Sequence, residues 1–399
     1  MPLVYAFDHR HRRSPKDLKD ILGGKGANLA EMASVLRLPV PPGFTITTEA
    51  CREYLLSGWP ASLDAEVDRH LADLERSAGR TLGDPVDPLL VSVRSGARFS
   101  MPGMMDTVLN LGLNDRSVSG LAAVSGDVAF AYNSYARLIA TFAEIVHGAD
   151  ADAFGRVWAD ARIRAGVGPD AHLGPDAAAG LCARFAEVFE HENGTPFPQD
   201  PRLQLDRAIR AVFSSWGAPR ATAYREHEHI DHGLGTAVNV QAMVFGNRDE
   251  RSGTGVAFSR DPATGRDRPY GDFLVNAQGE DVVAGVRITE PLSAMAERFG
   301  SIHEELLAHM RTLEVHFRDM VDVEFTIEQD RLHLLQVRVG KRTGAAALRM
   351  AVDMTADPDI ALSRAEAVGR VSADHLDQVL HPRLARVTAR PRRTPTWCC

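Results

Sequence analysis

Cysteine is scarce in this chain of 399 residues, and its scarcity argues against a fold held together by disulfides. Four cysteines occur, and none of them has the spacing of a metal-ligand set. They are Cys51, Cys182, Cys398 and Cys399. This usage fits reduced thiols, so we expect a cytoplasmic location.

Long apolar runs and an excess of positive charge are missing as well. No segment approaches the roughly 18 apolar residues of a membrane span. The N-terminus, MPLVYAFDHRHRRSPKD, has no apolar core of signal-peptide length. The net charge of −8 argues against a general nucleic-acid binder. We therefore expect neither a membrane nor a nucleic acid as a partner.

The overall composition is that of a globular protein, with 44% hydrophobic and 25% charged residues. The length is sufficient for two or three structural units and a large core.

The most informative stretch is VDVEFTIEQDRLHLLQVR, residues 321 to 338, which predicts a β-hairpin. Apolar and polar residues alternate along its first strand, so one face is apolar and the other is polar. Residues 328 to 331 are expected to form a polar turn. Strict alternation divides the second strand into Leu334, Gln336 and Arg338 on one face and His333, Leu335 and Val337 on the other.

Asp322 and Glu324 project from one face of the first strand, and Gln336 and Arg338 join them if the polar faces align. Mg²⁺ prefers a few hard oxygen ligands together with phosphate oxygens and water. The arginine offers a planar fork to phosphate oxygens. Alone, the hairpin favours a plainer interpretation, an amphipathic hairpin with a solvated charged face. The rest of the chain shifts the balance towards a magnesium and phosphate site.

A glycine-rich segment, LGGKGANLAEMASVL at residues 22 to 36, predicts an amphipathic helix with Lys25 among the glycines at its start. A helix N-terminus favours an anion, and the lysine adds a full positive charge. The spacing of a Walker motif is absent. The alternative is that the glycines form an ordinary turn at the start of a helix.

Residues 89 to 106, LLVSVRSGARFSMPGMMD, predict a buried strand from Leu89 to Val93 followed by a loop. The loop carries Arg94 and Arg98 among small residues, which suggests an anion site at a strand end. In the alternative interpretation these arginines only pair with carboxylates in a structural loop.

The remaining segments give a coarser outline. Residues 110 to 197 are expected to be helical, and residues 236 to 288 are expected to form an antiparallel sheet, with Glu280 in a loop that contains glycine. Residues 342 to 380 predict two helices. EHEHIDH, at 226 to 232, allows a metal site but fits a solvated turn better. The last residues, 383 to 399, are rich in Arg, Pro and Thr and are expected to be disordered.

Several blocks resemble the N-terminal nucleotide-binding part of the pyruvate, phosphate dikinase family. They are LGGKGANLAEM, PPGFTITTEAC, DPLLVSVRSGARFSMPGMMDTVLNLGLND, GTAVNVQAMVFGN, SGTGVAFSRDPATG, NAQGEDVVAGVR and HFRDMVDVEFTIEQDRLHLLQVRVGKRT. The resemblance runs from about residue 3 to about residue 382, in the family's order.

This resemblance implies an α+β protein with an ATP-grasp fold, in which two α/β subdomains close on ATP and a helical subdomain is inserted. We expect the first subdomain at residues 1 to 109 with a return at 198 to 241, and the helical insertion at 110 to 197. The second subdomain would span 242 to 340, and a helical linker 341 to 382.

The resemblance also implies roles for particular residues. Lys25 and Arg94 would contact the phosphates of ATP, and Arg338 the transferring group. Asp322, Glu324 and Gln336 would hold Mg²⁺ and the phosphates, and Arg98 and Glu280 are added as further ATP-binding candidates. These charges suit phosphoryl transfer, which needs charge neutralisation and positioning more than covalent help.

The family enzyme converts ATP, phosphate and pyruvate to AMP, pyrophosphate and phosphoenolpyruvate through a histidine on a swivelling domain. The histidine domain and the pyruvate-binding barrel have no counterpart here, so we expect them on a separate chain or lost through truncation. A homodimer is compatible with the sequence. The alternative function is a non-catalytic ATP-binding remnant or regulatory module. Nucleic-acid binding through the arginine-rich tail has little support.

Overall fold

The computed structural model describes residues 2–99, 101, 107–168, 173–283 and 288–381. Over these ranges the chain is an α+β protein with two antiparallel sheets of five strands each. The first sheet contains β1 (Val4–Ala6), β2 (Gly43–Ile46), β3 (Val91–Ala97), β4 (Thr107–Leu111) and β5 (Thr236–Ala242). The second contains β6 (Gly253–Phe258), β7 (Tyr270–Val275), β8 (Glu290–Pro291), β9 (Val321–Glu328) and β10 (Arg331–Val339).

The strand orders are β1-β2-β5-β3-β4 in the first sheet and β10-β9-β6-β7-β8 in the second. The expectation of one sheet over residues 236 to 288 is therefore wrong, because β5 pairs with β2 and β3 of the first sheet. The prediction that β3 ends at Val93 is also wrong. The strand continues to Ala97 because it pairs with β5 along its whole length, so Arg94 lies within a strand.

Fifteen α-helices lie within the described ranges. They are α1 (Lys19–Ala30), α2 (Thr48–Ser57), α3 (Leu63–Ala78), α4 (Ser117–Ser125), α5 (Val128–His147), α6 (Ala151–Ala165), α7 (Pro175–Asn193), α8 (Pro201–Ser215), α9 (Pro219–His227), α10 (Gly279–Val283), α11 (Met295–Arg298), α12 (Gly300–Phe317), α13 (Gly344–Ala356), α14 (Arg364–Gly369) and α15 (Ala373–Leu380). A π-helical turn, Glu31–Val35, follows α1, and 3-10 turns span Pro15–Asp17, His232–Leu234 and Leu292–Ala294. Two helices were predicted after residue 342, and the structure has three. No helix in the described ranges is both long and apolar enough to cross a membrane.

Helices α4 to α9 lie between β4 and β5 in the chain. Their core is rich in phenylalanine, and Phe142, Phe185 and Phe189 are fully buried. The aromatic rings meet at short distances, with 5.2 Å between the ring centres of Phe154 and Phe185. This core is continuous with that of the first sheet, so the helices are anchored to it by apolar packing.

The hairpin formed by β9 and β10 has a two-residue turn. Gln329 and Asp330 both adopt positive φ, at 48° and 62°, as a tight hairpin turn requires. The predicted four-residue turn is therefore wrong, because Glu328 and Arg331 already pair with each other in the ladder.

A register shift in β10 changes which side chains share a face. Leu334 pairs with Phe325, but Gln336 pairs with Glu324, so Leu335 is the extra residue of a β-bulge. Leu334 is fully buried in the apolar core of the second sheet, although alternation placed it with Gln336. The bulge reverses the alternation at this point, so that Gln336 and Arg338 lie opposite Glu324 and Asp322 while Leu334 lies on the core face.

A buried carboxylate connects the end of α1 to the second sheet's helices. Glu31 is fully buried in the π-helical turn, and its carboxylate accepts hydrogen bonds from Ser14 Oγ at 2.7 Å and from the Lys16 backbone at 2.9 Å. His316 Nε2, from α12, lies 2.6 Å from the other oxygen. Burial by itself raises the pKa of Glu31, but these hydrogen bonds outweigh burial and lower the pKa to about 2.

We therefore expect Glu31 to make folding more stable above its unfolded pKa of 4.5 and to lose that contribution as the pH falls towards 2. The contribution amounts to about 3 kcal/mol. Denaturant unfolding between pH 7 and pH 3 should show a smaller loss of stability in Glu31→Gln than in the unchanged chain. Glu305→Gln, at an exposed helix position beside His309, is the control and should leave the pH dependence unchanged. An equal pH dependence in Glu31→Gln would contradict the prediction.

Candidate functional site

The candidate site is a cleft of about 580 Å³ between the two sheets. Its apolar wall includes Leu109, Met243, Val244, Phe325 and Leu335, and its polar lining includes Ser92, Arg94, Gln241, Thr254, Gln278, Glu324 and Thr326. Ligand sites are commonly concave and mostly apolar, with a few polar groups that fix orientation. The charged part of this lining comes from β3 on one side and β9 on the other.

Arg94 and Glu324 connect the two sheets directly. Arg94 Nη2 lies 2.9 Å from Glu324 Oε2, and Arg94 Nη1 donates to the Leu335 carbonyl at 3.3 Å. Gln336 Nε2 donates to the other oxygen of Glu324 at 3.1 Å. The ion pair is largely shielded, with side-chain exposures of 13% for Arg94 and 23% for Glu324, so it is stronger than a surface pair.

The neighbouring pair on the hairpin is Asp322 and Arg338, which are directly opposite in the ladder. Arg338 Nε lies 2.5 Å from Asp322 Oδ2. Asp322 Oδ1 is buried and has no hydrogen-bond partner among the described residues. Burial raises the pKa of Asp322, and the nearby guanidinium of Arg338 only partly opposes that rise. The carboxylate therefore has an unpaired oxygen and an energetic reason to accept another cation.

Lys25 adds a third cation near Glu324. The pKa of Lys25 is lowered to about 7, mainly by burial and further by the positive charge of Arg94, against the opposing effect of Glu324. Burial also raises the pKa of Glu324, but Arg94, Lys25 and Arg338 together outweigh it, so the net shift is downward. An anion bound beside Lys25 would favour its protonated form.

Glycines determine how closely the helix that carries Lys25 approaches the first sheet. Gly23 has φ +66° within α1, and a Cβ atom there would lie 1.5 Å from the carbonyl oxygen of Gly96 in β3. A Cβ atom on Gly26 would lie 2.6 Å from Thr45 Oγ1. The glycines therefore permit close packing of α1 against the first sheet. Gly23, with its non-helical φ and ψ, also makes the break in the helix that the helix-start turn would require.

The structure brings six of the eight predicted site residues to this region. They are Lys25, Arg94, Asp322, Glu324, Gln336 and Arg338. Arg98 instead forms an ion pair with Asp20 and lies over the ring of Phe99, at 5.3 Å from its centre. The side chain of Glu280 lies outside the described part of the structure.

Sequence reasoning missed Arg137, which extends from α5 to a residue of the cleft lining. Its guanidinium donates to Gln278 Oε1 at 2.7 Å and pairs with Asp281 at 3.1 Å, and Gln278 lines the cleft. Arg137 stands alone in an ordinary helical sequence, so no local signal marks it. The position of Arg137 beside Gln278 becomes visible only when α5 is packed against the loop after β7.

Two other candidates receive no support as metal or nucleic-acid sites. In the EHEHIDH segment, His232 Nδ1 accepts a hydrogen bond from Arg225 Nε at 3.1 Å. Across the described ranges, no three His, Cys, Asp or Glu side chains are grouped as a metal cluster. Residues 383 to 399 lie outside the described residues.

A second cleft of about 480 Å³ surrounds Arg260, Arg311 and Glu314. Both of its arginines are already paired with carboxylates, since Arg260 Nε lies 2.8 Å from Glu314 and Arg311 Nη1 lies 2.7 Å from Asp357. We assign no ligand to it.

A cleft with an apolar wall and an Arg–Glu pair in its lining, beside further cations and a second carboxylate, fits a nucleotide-binding protein that handles phosphate groups. The family model for the pyruvate phosphate dikinase AMP/ATP-binding domain matches residues 19–58 and 56–301, and the chain belongs to this family.

Curated relatives agree with this assignment. The chain is 48% identical over 381 residues to "Pyruvate, phosphate dikinase 1, chloroplastic" of Arabidopsis thaliana. The matched region covers 95% of this chain and 39% of the relative. It is 49% identical over 393 residues to "Pyruvate, phosphate dikinase" of Rhizobium meliloti (strain 1021), covering 95% of this chain and 43% of the relative. The chain thus spans about two fifths of the length of these relatives. The resemblance seen in the sequence is confirmed.

Proposed function

We propose that the chain binds ATP between two subdomains of an ATP-grasp fold and carries the ATP-cleavage half-reaction of a pyruvate, phosphate dikinase. The two sheets would be the cores of the subdomains, and the helices between β4 and β5 would include the insertion. The observation that carries the proposal is the ion pair of Arg94 and Glu324 in the lining of the cleft, with Lys25 and the Arg338–Asp322 pair close to Glu324.

The cleft offers a different environment to each part of ATP. Leu109, Met243 and Leu335 would contact the base, because they form the apolar wall. Arg94 and Lys25 would contact the phosphates, because their positive charges lie near Glu324, on the charged side of the cleft. Arg94 also touches both sheets, so its engagement by a phosphate would depend on how closely the two sheets approach each other.

Asp322, Glu324 and Gln336 fit the ligand set of Mg²⁺. The buried, unpartnered Oδ1 of Asp322 is an oxygen of the type that Mg²⁺ prefers. When bound, the ion would neutralise charge on the phosphate oxygens. In the structure the carboxylates of Glu324 and Asp322 are paired with Arg94 and Arg338. We therefore propose a partner exchange in which the carboxylates hold the cation and the arginines turn to the phosphates.

In the half-reaction a histidine nitrogen would attack the β-phosphorus of ATP and form an N–P bond, while the P–O bond to the α-phosphate breaks and AMP leaves. Phosphate would then take the terminal phosphoryl group and leave as pyrophosphate, so that one phosphoryl group stays on the histidine. The histidine would belong to a domain outside the described residues. Lys25, Arg94 and Arg338 would stabilise the charge that develops on the phosphate oxygens and hold the group in line. The family's products are AMP and pyrophosphate, with phosphate as the second acceptor.

Calorimetric titration of the chain with ATP in excess Mg²⁺ tests the binding step. We expect Arg338→Ala to weaken binding by about 10- to 100-fold, because a hydrogen bond to a charged group contributes about 1.5–3 kcal/mol. Absence of binding in the unchanged chain would refute the proposal.

Adding a histidine domain of a pyruvate, phosphate dikinase, with ATP, phosphate and Mg²⁺, then tests the catalytic step. Pyrophosphate formation that requires the added domain supports the half-reaction. ATP binding without pyrophosphate formation would instead support a non-catalytic ATP-binding module.

A further inference from the structure

The open edge of β10 is covered by residues from the N-terminal part of the chain. β10 is the terminal strand of the second sheet, so one of its edges has no strand neighbour. The Leu334 N–H donates to the Pro39 carbonyl at 2.9 Å, and Arg94 donates to the Leu335 carbonyl at 3.3 Å. The third contact is Asn28, whose Nδ2 donates to the Val337 carbonyl at 2.7 Å.

The Asn28 contact is a buried, isolated hydrogen bond. Asn28 is 6% exposed and lies on α1, one turn after Lys25. Its Oδ1 has no hydrogen-bond partner among the described residues, so Val337 is the residue to which the amide is directed. A buried amide destabilises the fold unless it is paired, so its single bond determines how the side chain is oriented.

The carbonyl that Asn28 holds lies between two residues of the candidate site. Gln336 and Arg338 flank Val337, and their side chains contact Glu324 and Asp322 across the hairpin. The bulge at Leu335 immediately precedes this segment, and a bulge interrupts the regular ladder that would otherwise fix the strand. An additional contact at Val337 therefore holds the strand from its open edge, directly after the point where the ladder is interrupted.

We infer that Asn28 is a positioning residue that holds the Gln336–Arg338 segment at a fixed distance from the helix that carries Lys25. The inference rests on the proposed binding of ATP phosphates by Arg338 and Lys25. Asn28 itself does not touch the ligand. It acts by fixing the Val337 peptide, and thereby the backbone positions of Gln336 and Arg338, from which their side chains extend.

The distinguishing measurement compares ATP with AMP. We expect Asn28→Ala to weaken Mg·ATP binding by about tenfold, on the scale of one buried hydrogen bond to a positioned group. AMP lacks the β- and γ-phosphates, so its affinity should change by less than about twofold. A general loss of structure would weaken both ligands alike. Asn28→Leu keeps a similar side-chain size without a donor, and we expect the same result from it.

A double-mutant comparison links the effect to Arg338. In an Arg338→Ala background, Asn28→Ala should weaken ATP binding by less than about twofold further, because the group that it positions is already missing. Asn114→Ala is the matched control, since Asn114 is 7% exposed and donates to the Gln199 carbonyl at 2.9 Å in the helical region. We expect the control to lower the thermal midpoint without changing the ratio of ATP to AMP affinity.

Two outcomes overturn the inference. One is unchanged ATP affinity in both Asn28 variants, and the other is an equal loss of affinity with and without Arg338. Absence of ATP binding in the unchanged chain would refute the proposed function, and this inference with it. ATP binding that Asn28→Ala and Asn28→Leu leave unaltered would refute the positioning role alone.

Discussion

Replacing Gly23 by alanine is expected to destabilise the chain by more than about 4 kcal/mol, a loss that few single substitutions reach. The new Cβ atom would lie 1.5 Å from the carbonyl oxygen of Gly96, inside its van der Waals radius. The carbonyl cannot yield easily, because Gly96 belongs to β3 and is paired with Ala237 of β5. The residue also has φ +66° and ψ 173°, a region that alanine rarely occupies.

Helix α1 would have to move away from the first sheet in this variant, and Lys25 would move with it. Denaturant unfolding measures the stability loss, and calorimetry should show ATP binding abolished. Gly58→Ala is the matched control, since Gly58 has φ 87° and ψ −169° but no atom within 4 Å of its would-be Cβ atom. The control should lose only about 1–3 kcal/mol from backbone strain and should keep its ATP affinity. Similar losses in the two variants would show that the close packing is unimportant.

Arg94→Ala is expected to weaken Mg·ATP binding by at least about 100-fold, on the scale seen when a positioned charged donor is removed from a site. Two effects combine. The phosphates lose a planar, bidentate donor, and Glu324 loses the cation that contributes most to keeping its pKa low. Arg94 also joins the two sheets through Glu324 and the Leu335 carbonyl, so closure of the cleft should become less favourable.

Arg342→Ala provides the control for this prediction. Arg342 is 10% exposed and pairs with Asp319 at 2.9 Å, which closely matches the burial and geometry of the Arg94 pair. It does not line the cleft. We expect it to lower stability in thermal unfolding and to leave ATP affinity within about threefold, since distant sites act independently. An equal loss of affinity in the two variants would mean that the effect comes from general destabilisation.

The hairpin shows how much of the candidate site can be predicted from the sequence. Alternation along β9 placed Asp322 and Glu324 on one face, and the ladder does bring Gln336 and Arg338 opposite them. This success depends on period-two patterning, which is a local property of the chain. The motif blocks led further, to the family, which the comparisons confirm.

Strict alternation failed at Leu334, because a bulge depends on the partner strand and leaves no mark in the sequence of β10. Arg94 was predicted in a loop, among small residues directly after a strand that was expected to end at Val93. It lies in a strand because β5 returns from more than a hundred residues away to pair with it. Arg137 illustrates the same limit, since its partners are distant in sequence.

The covered edge of β10 has a consequence for how the chain behaves in solution. An uncovered strand edge is a template on which other chains can add strands, and it promotes aggregation. Here the covering groups include Arg94, which the proposed function also assigns to ATP. Any opening of the cleft wide enough to admit the nucleotide would free part of this edge. Nucleotide exchange would then require this edge to open, whereas resistance to self-association would require it to stay covered. A nucleotide that keeps the sheets together would therefore also protect the chain from aggregation.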